Sequence, residues 1–168
     1  MILITGATGH VGSELIAALL PAQAGHIRVI TRNRGAVFPD GSQKVVADLA
    51  DSDLAPVLDD VHAVFLLTDG LNIAAHDHRL IAAAQQAGVE RIVKLSVRSV
   101  GYDATDPMTT WHRAGEEAIR DSGIRVDVPA AYRVHVQRAQ LGGNDRGRSD
   151  SCDWFPQLRS ELDGEGLV

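Results

Sequence analysis

The stretch Ile2-Leu3-Ile4-Thr5-Gly6-Ala7-Thr8-Gly9-His10-Val11-Gly12 decides the fold. Three consecutive aliphatic residues make a short buried strand, and the segment from Gly6 to Gly9 makes a turn. Val11, Leu15, Ile16 and Leu19 then recur at helical spacing. Pro21 and Gly25 are expected to close that helix. The glycines are spaced Gly-x-x-Gly-x-x-Gly between strand and helix. Glycine permits a tight turn and lets backbone N–H groups approach a ligand closely. The helix amino terminus adds unpaired donors and partial positive charge.

Working outward, Ile27–Ile30, Lys44–Ala47, Val61–Leu67 and Arg91–Ser96 read as further strands. Asp53–Leu58, Asn72–Ala87 and Pro107–Arg120 read as helices, with Gly88 and Gly123 as stops. Aliphatic strands alternating with helices predict a parallel sheet covered on both faces. Right-handed crossovers make it a doubly wound α/β (Rossmann) sheet, here expected over residues 1–124. In such a sheet a glycine turn after the first strand binds the pyrophosphate of a dinucleotide. A purely structural turn is the alternative, and the further strand–helix units behind the turn weigh against it.

Composition narrows the classes. The chain has 168 residues, enough for one domain with little room for a second. Lys+Arg number 16 against 22 Asp+Glu, a net charge of -6, which argues against a nucleic-acid partner. Cys152, the single cysteine, forms no internal disulfide. No apolar run has the length of a membrane span, and the opening residues lack the basic flank of a signal peptide. The expectation is a cytoplasmic protein with neither membrane nor nucleic-acid contact.

The end of the second strand separates the two nicotinamide dinucleotides. A carboxylate there bonds the ribose of NAD, whereas arginine accommodates the 2′-phosphate of NADP. The sequence reads Thr31-Arg32-Asn33-Arg34, with no acid until Asp40. Arg32 therefore favours NADP (NADPH), the alternative being that both arginines are solvated loop residues. After the third strand, Asp48 is placed either to accept from the adenine amino group or to cap a turn. After the fourth, Leu67 and Thr68 fall near the nicotinamide-side ribose, and Asp69 either joins them or caps the next helix. The candidate cofactor residues are Gly6, Thr8, Gly9, His10, Val11, Gly12, Arg32, Asp48, Leu67 and Thr68.

With those residues in view, the chain resembles the NmrA-like NAD(P)-binding family of atypical short-chain dehydrogenase/reductases. The resemblance rests on residues 4–12, on Thr31-Arg32-Asn33 and on Val93-Lys94-Leu95-Ser96. Trp111-His112-Arg113-Ala114-Gly115-Glu116-Glu117 and Asp121-Ser122-Gly123-Ile124 complete it. It implies the fold and the cofactor. It also implies one of two activities: NAD(P)H-dependent reduction of a quinone or similar carbonyl acceptor, or dinucleotide sensing by a regulator that engages a protein partner.

The Tyr-x-x-x-Lys pair of typical short-chain reductases is absent. Tyr102 is followed four positions later by Asp106, and the lysines are Lys44 and Lys94. The corresponding helix offers His112 and Glu116, four residues apart on one face, where Glu116 would orient His112 as a proton donor. A solvated helix pair is the competing reading. Ser96, at the end of the fifth strand, is where family reductases often place a hydroxyl near substrate. His76 and His78 bracket Asp77 but point to different helical faces, so no metal site is expected.

Beyond Ile124 the pattern changes. Residues 125–168 carry six arginines and no lysine, and residues 142–151 have almost nothing to bury. In a frame advanced by one base, synonymous codons for residues 125–146 can spell the family's Leu-Arg-Pro segment followed by an amphipathic helix. The expectation is an aberrant, out-of-frame and partly disordered tail, with the sixth strand and the substrate domain missing or scrambled and the sheet incomplete on that side. Turnover by this chain is then weak or absent, and an inactive truncated remnant is a third possibility.

Overall fold

The computed structural model describes residues 1–102 and 104–127. The strands are β1 (Ile2–Ile4), β2 (Ile27–Thr31), β3 (Ser42–Val46), β4 (Ala63–Leu66), β5 (Arg91–Lys94) and β6 (Arg125–Asp127). The helices are α1 (His10–Gln23), α2 (Ile73–Gln86) and α3 (Pro107–Ser122). The strands form one sheet of order β3-β2-β1-β4-β5-β6. Every pairing is parallel, and Ile4 stands between Val29 on one side and Phe65 on the other. The chain reverses its direction of travel across the sheet between β1 and β4. Ligands of doubly wound sheets bind at that switch point, outside the carboxyl ends of the strands.

Alternation along the strands splits the core in two. Ile2, Ile4, Val29 and Phe65 bury with Leu15, Ile16 and Leu19 of α1. Leu3, Val64, Leu66 and Ile92 bury with Leu80 and Ile81 of α2 and Ile119 of α3. Successive strand residues face opposite ways, so each central strand feeds both layers. Among the described residues, no helix is long and apolar enough to cross a membrane.

Three expectations need correction. Pro21 does not close α1, which runs through it to Gln23 before Gly25 takes a φ of 82°. Proline's fixed φ suits a helix, and in this last turn it removes a single backbone bond. Residues 53–58 are a series of turns, not a helix. One helical bond forms, from Leu58 N–H to the Leu54 carbonyl and shared with that of Ala55, and Val61 N–H then turns back to Leu58, so the segment makes a single turn that does not propagate.

The sixth strand, expected to be missing or scrambled, is present as a three-residue edge strand. Arg125, Val126 and Asp127 pair in parallel with Arg91, Ile92 and Val93. Gly123, left-handed at φ 73°, ends α3 and turns the chain onto the β5 edge. A three-residue ladder of backbone bonds asks little of side-chain identity, so Arg125–Asp127 form it. The tail beyond Asp127, with Cys152, lies outside the described residues.

Candidate cofactor groove and polar cluster

A groove of about 440 Å³ opens at the carboxyl ends of the strands. Of the sequence-derived candidates, Gly6, Thr8, Gly9, Arg32, Asp48, Leu67 and Thr68 line it. His10, Val11 and Gly12 form the first turn of α1 and are not part of that lining. A larger hollow of about 580 Å³ lies between residues 52–60 and the second half of α2. It borders the residues that lead into β4, away from the glycine turn.

The turn is built for close approach. Gly6 has a φ of 62°, and a Cβ there would stand 2.8 Å from Leu67 Cγ. A Cβ on Gly12 would overlap the Gly6 carbonyl oxygen and lie 2.8 Å from the Ala7 Cα. Gly12 thus lets α1 begin against the turn, although it does not face the groove. No side chain caps α1 at Gly9, which leaves its first N–H groups to meet an anion. Beneath the turn, Thr5 Oγ1 donates to the Leu67 carbonyl at 2.8 Å and accepts from Leu67 N–H at 2.7 Å. That stitch fixes the groove floor between the ends of β1 and β4. A tight glycine turn with no side chains to block approach, an uncapped helix start and a walled groove fit a dinucleotide.

Arg32 lies exposed just past β2, while Arg34 is outside the lining. The loop that carries Arg32 is held on both sides. Asn33 N–H donates to Thr31 Oγ1, Gly35 N–H to Asn33 Oδ1, and Lys44 Nζ to the carbonyls of Arg34 and Ala36. Asp48 Oδ1 accepts from Ala50 N–H at 2.9 Å, so this carboxylate caps a turn while bordering the groove. Asp69 lines the groove; the N-cap of α2 is Asn72, with no side-chain cap bond. His76, unassigned from sequence, joins the lining.

Behind Thr68 lies a buried polar cluster. Thr68 Oγ1 donates to Asp77 Oδ1 at 2.6 Å, and Lys94 Nζ donates to Asp77 Oδ2 at 2.5 Å. Asp77 and Lys94 are both 0% exposed. Helix α3 crosses this pair at Gly115, where a Cβ would overlap the Asp77 carboxylate. Farther along α3, Ser96 Oγ donates to Glu116 Oε1 at 2.5 Å and Arg120 donates to Glu116 Oε2 at 2.8 Å. Thr109, bonded to Ser99, also donates its N–H and hydroxyl to Asp106, holding that N-cap carboxyl below its ordinary range.

The expected His112–Glu116 partnership is not formed. Glu116 spends its two oxygens on a hydroxyl and a guanidinium, which serve a buried carboxylate better than a neutral imidazole does. His112 Nδ1 is buried without a hydrogen-bond partner among the described residues. Burial, and after it the Lys94 charge, pushes the His112 pKa below its ordinary value against the pull of Asp77 and Glu116. The imidazole is therefore neutral near pH 7 and holds no acidic proton for transfer.

Sequence reasoning passed over Asp77, Lys94, Thr5 and Gly115. Two signals were available. Asp77 follows Ile73 by four and precedes Leu80 and Ile81 on the buried stripe of α2, and Lys94 interrupts the aliphatic run of β5. Opposite charges, each alone in apolar surroundings, are partners for one another.

Sheet order, glycine turn and groove together define a dinucleotide-binding protein of the doubly wound class. The chain belongs to the NAD(P)H-binding family, whose model matches residues 6–126. It is 41% identical over 128 residues to a Streptomyces griseus enzyme named (4-alkanoyl-5-oxo-2,5-dihydrofuran-3-yl)methyl phosphate reductase. That match covers 74% of this chain and 44% of the relative. Among solved structures, the Citrobacter sp. triphenylmethane reductase complexed with NADP(H) superposes with a TM-score of 0.69 at 24% identity, over 76% of this chain and 48% of that one. MoeE5 in complex with UDP-glucose and NAD gives 0.63 at 24% identity, over 77% and 52%. The chain thus spans about half the length of these proteins or less.

Proposed function

We propose that this chain is the cofactor-binding part of an NADPH-dependent reductase whose acceptor is a quinone or a related carbonyl-conjugated alkene. The carrying observation is the groove that joins the glycine turn to Arg32 and Thr68 at the switch point of the sheet. The backbone N–H groups of the turn and of the first turn of α1 bind the pyrophosphate. Arg32 pairs with the 2′-phosphate, and Thr68 meets the nicotinamide-side ribose. When bound in reduced form, the nicotinamide supplies a hydride. The Streptomyces griseus relative supports the acceptor class, since its named substrate carries a ring carbonyl and an alkanoyl group on an unsaturated lactone. A quinone shares that electron-poor, carbonyl-conjugated carbon.

The polar cluster favours a second reading, that of an NADP(H) sensor acting on a protein partner. Ser96 is committed to Glu116, His112 is neutral, and Lys94 is sealed against Asp77, so no side chain in the cluster is poised to protonate a product. NADPH consumption separates the two readings. It should be followed with a panel of quinones and alkanoyl-butenolides, in this chain and in one read in the advanced frame after residue 124. Acceptor-dependent oxidation in either establishes the reductase. Tight NADPH binding with no oxidation by the longer chain establishes the sensor.

A further inference from the structure

The ion pair Asp77–Lys94 is the most deeply buried charge in the described residues, and a stability argument does not account for it. Both side chains are 0% exposed. Taking two charges out of water costs as much as or more than their attraction returns, and apolar pairs of similar volume usually replace such bridges without loss. The pair does, however, fix one atom of the groove wall. Asp77 uses Oδ2 for Lys94 and Oδ1 for the Thr68 hydroxyl, at 2.5 and 2.6 Å. The Thr68 proton is therefore turned inward, away from the groove that Thr68 lines. A hydroxyl whose proton is committed offers only lone pairs to a ligand.

We infer that Asp77 and Lys94 are positioning residues that lock Thr68 as a hydrogen-bond acceptor, and so select a ligand hydroxyl or amide donor at the β4 end of the groove. This rests on the dinucleotide reading of the groove and deepens it. The donor met there belongs to the nicotinamide half of the cofactor, the adenosine half being held at the ends of β2 and β3. Lys94 acts through Asp77: its ammonium takes Oδ2 and holds the carboxylate so that Oδ1 faces the Thr68 hydroxyl.

Two ligands and two double variants test this. NADPH spans the whole groove, whereas adenosine 2′,5′-bisphosphate carries the adenosine and 2′-phosphate without the nicotinamide half. Asp77→Leu/Lys94→Met removes the charges and the acceptor for Thr68. Asp77→Asn/Lys94→Met removes the charges but keeps an acceptor oxygen. Binding is read by calorimetry on the full chain, with thermal midpoints alongside.

The expected result is NADPH bound roughly 3- to 10-fold more weakly by the Leu/Met protein, the range for one lost hydrogen bond. Its bisphosphate affinity and thermal midpoint stay at or above those of the parent, and the Asn/Met protein recovers NADPH affinity to within about 2-fold. Asp77→Ala/Lys94→Met replaces the Leu/Met pair should that one not fold. Equal loss of both ligands, or no loss of either, overturns the positioning role. If the parent chain binds neither ligand, the dinucleotide reading itself fails, which is a separate outcome.

Discussion

The two sides of Thr68 follow different physical rules. On the groove side, the wall is backbone and glycine: Gly6 to Gly9 line it, with the Gly9 N–H closing the turn on the Gly6 carbonyl at 3.0 Å, and α1 starts behind them with no side-chain cap. On the inner side, within a few ångströms, Asp77, Lys94, Ser96 and Glu116 are sealed from water and satisfied by one another. The groove draws its walls from the ends of β1, β2, β3 and β4 and from His76 of α2. The buried cluster needs α2, β5 and α3 to arrive together. Both sets of residues lie before residue 124.

The strongest way to break the groove side is Gly12→Ala. The added carbon meets the Gly6 carbonyl, a backbone atom that cannot swing aside. Overpacking of this kind costs about 1–3 kcal/mol, and NADPH binding should fall below detection in a titration. Gly115→Ala strikes the inner side instead, against a carboxylate pinned by two hydrogen bonds. Denaturant unfolding should show a loss of about 1–3 kcal/mol. Binding of adenosine 2′,5′-bisphosphate should persist in that variant, because the turn is untouched.

Smaller effects sharpen the contrast. Arg32→Ala should weaken NADPH by about 10-fold, the range of a charge-assisted bond to phosphate, and leave NADH unchanged. Equal losses for both cofactors would show that Arg32 does not read the 2′-phosphate. The smallest expected change is a pH slope. His112 is held below its ordinary pKa of 6.5 in the folded protein, so below that pH the unfolded chain binds the extra proton more readily. Stability contributed by neutral His112 is full above 6.5 and is lost as pH falls toward the lowered folded value. His112→Gln should flatten the dependence of unfolding free energy on pH in that window.

The contrast also explains what was legible in the sequence. Gly6, Gly9 and Arg32 could be placed at the groove because each has a fixed place relative to one strand end, a local property visible as spacing. The parallel, doubly wound sheet followed from the alternation of strands and helices. The Pro21 expectation failed because proline near the end of α1 is absorbed, and the helix expected over residues 53–58 failed because so short a segment does not propagate beyond one turn. Glu116 was paired with His112 because both sit on one face of α3. Its actual partner Ser96 comes from another element, twenty positions away in the chain. Asp77–Lys94 was hidden for the same reason. The short β6 ladder was missed because residues 125–127 were judged by side chain, whereas an edge strand is held by its backbone.

The most direct test of the account is a calorimetric titration of the 168-residue protein with NADPH. Saturable binding at one site per chain, abolished by Gly12→Ala, is the predicted result. A folded protein that binds neither NADPH nor NADH would contradict the assignment of the groove, and with it the function proposed for the chain.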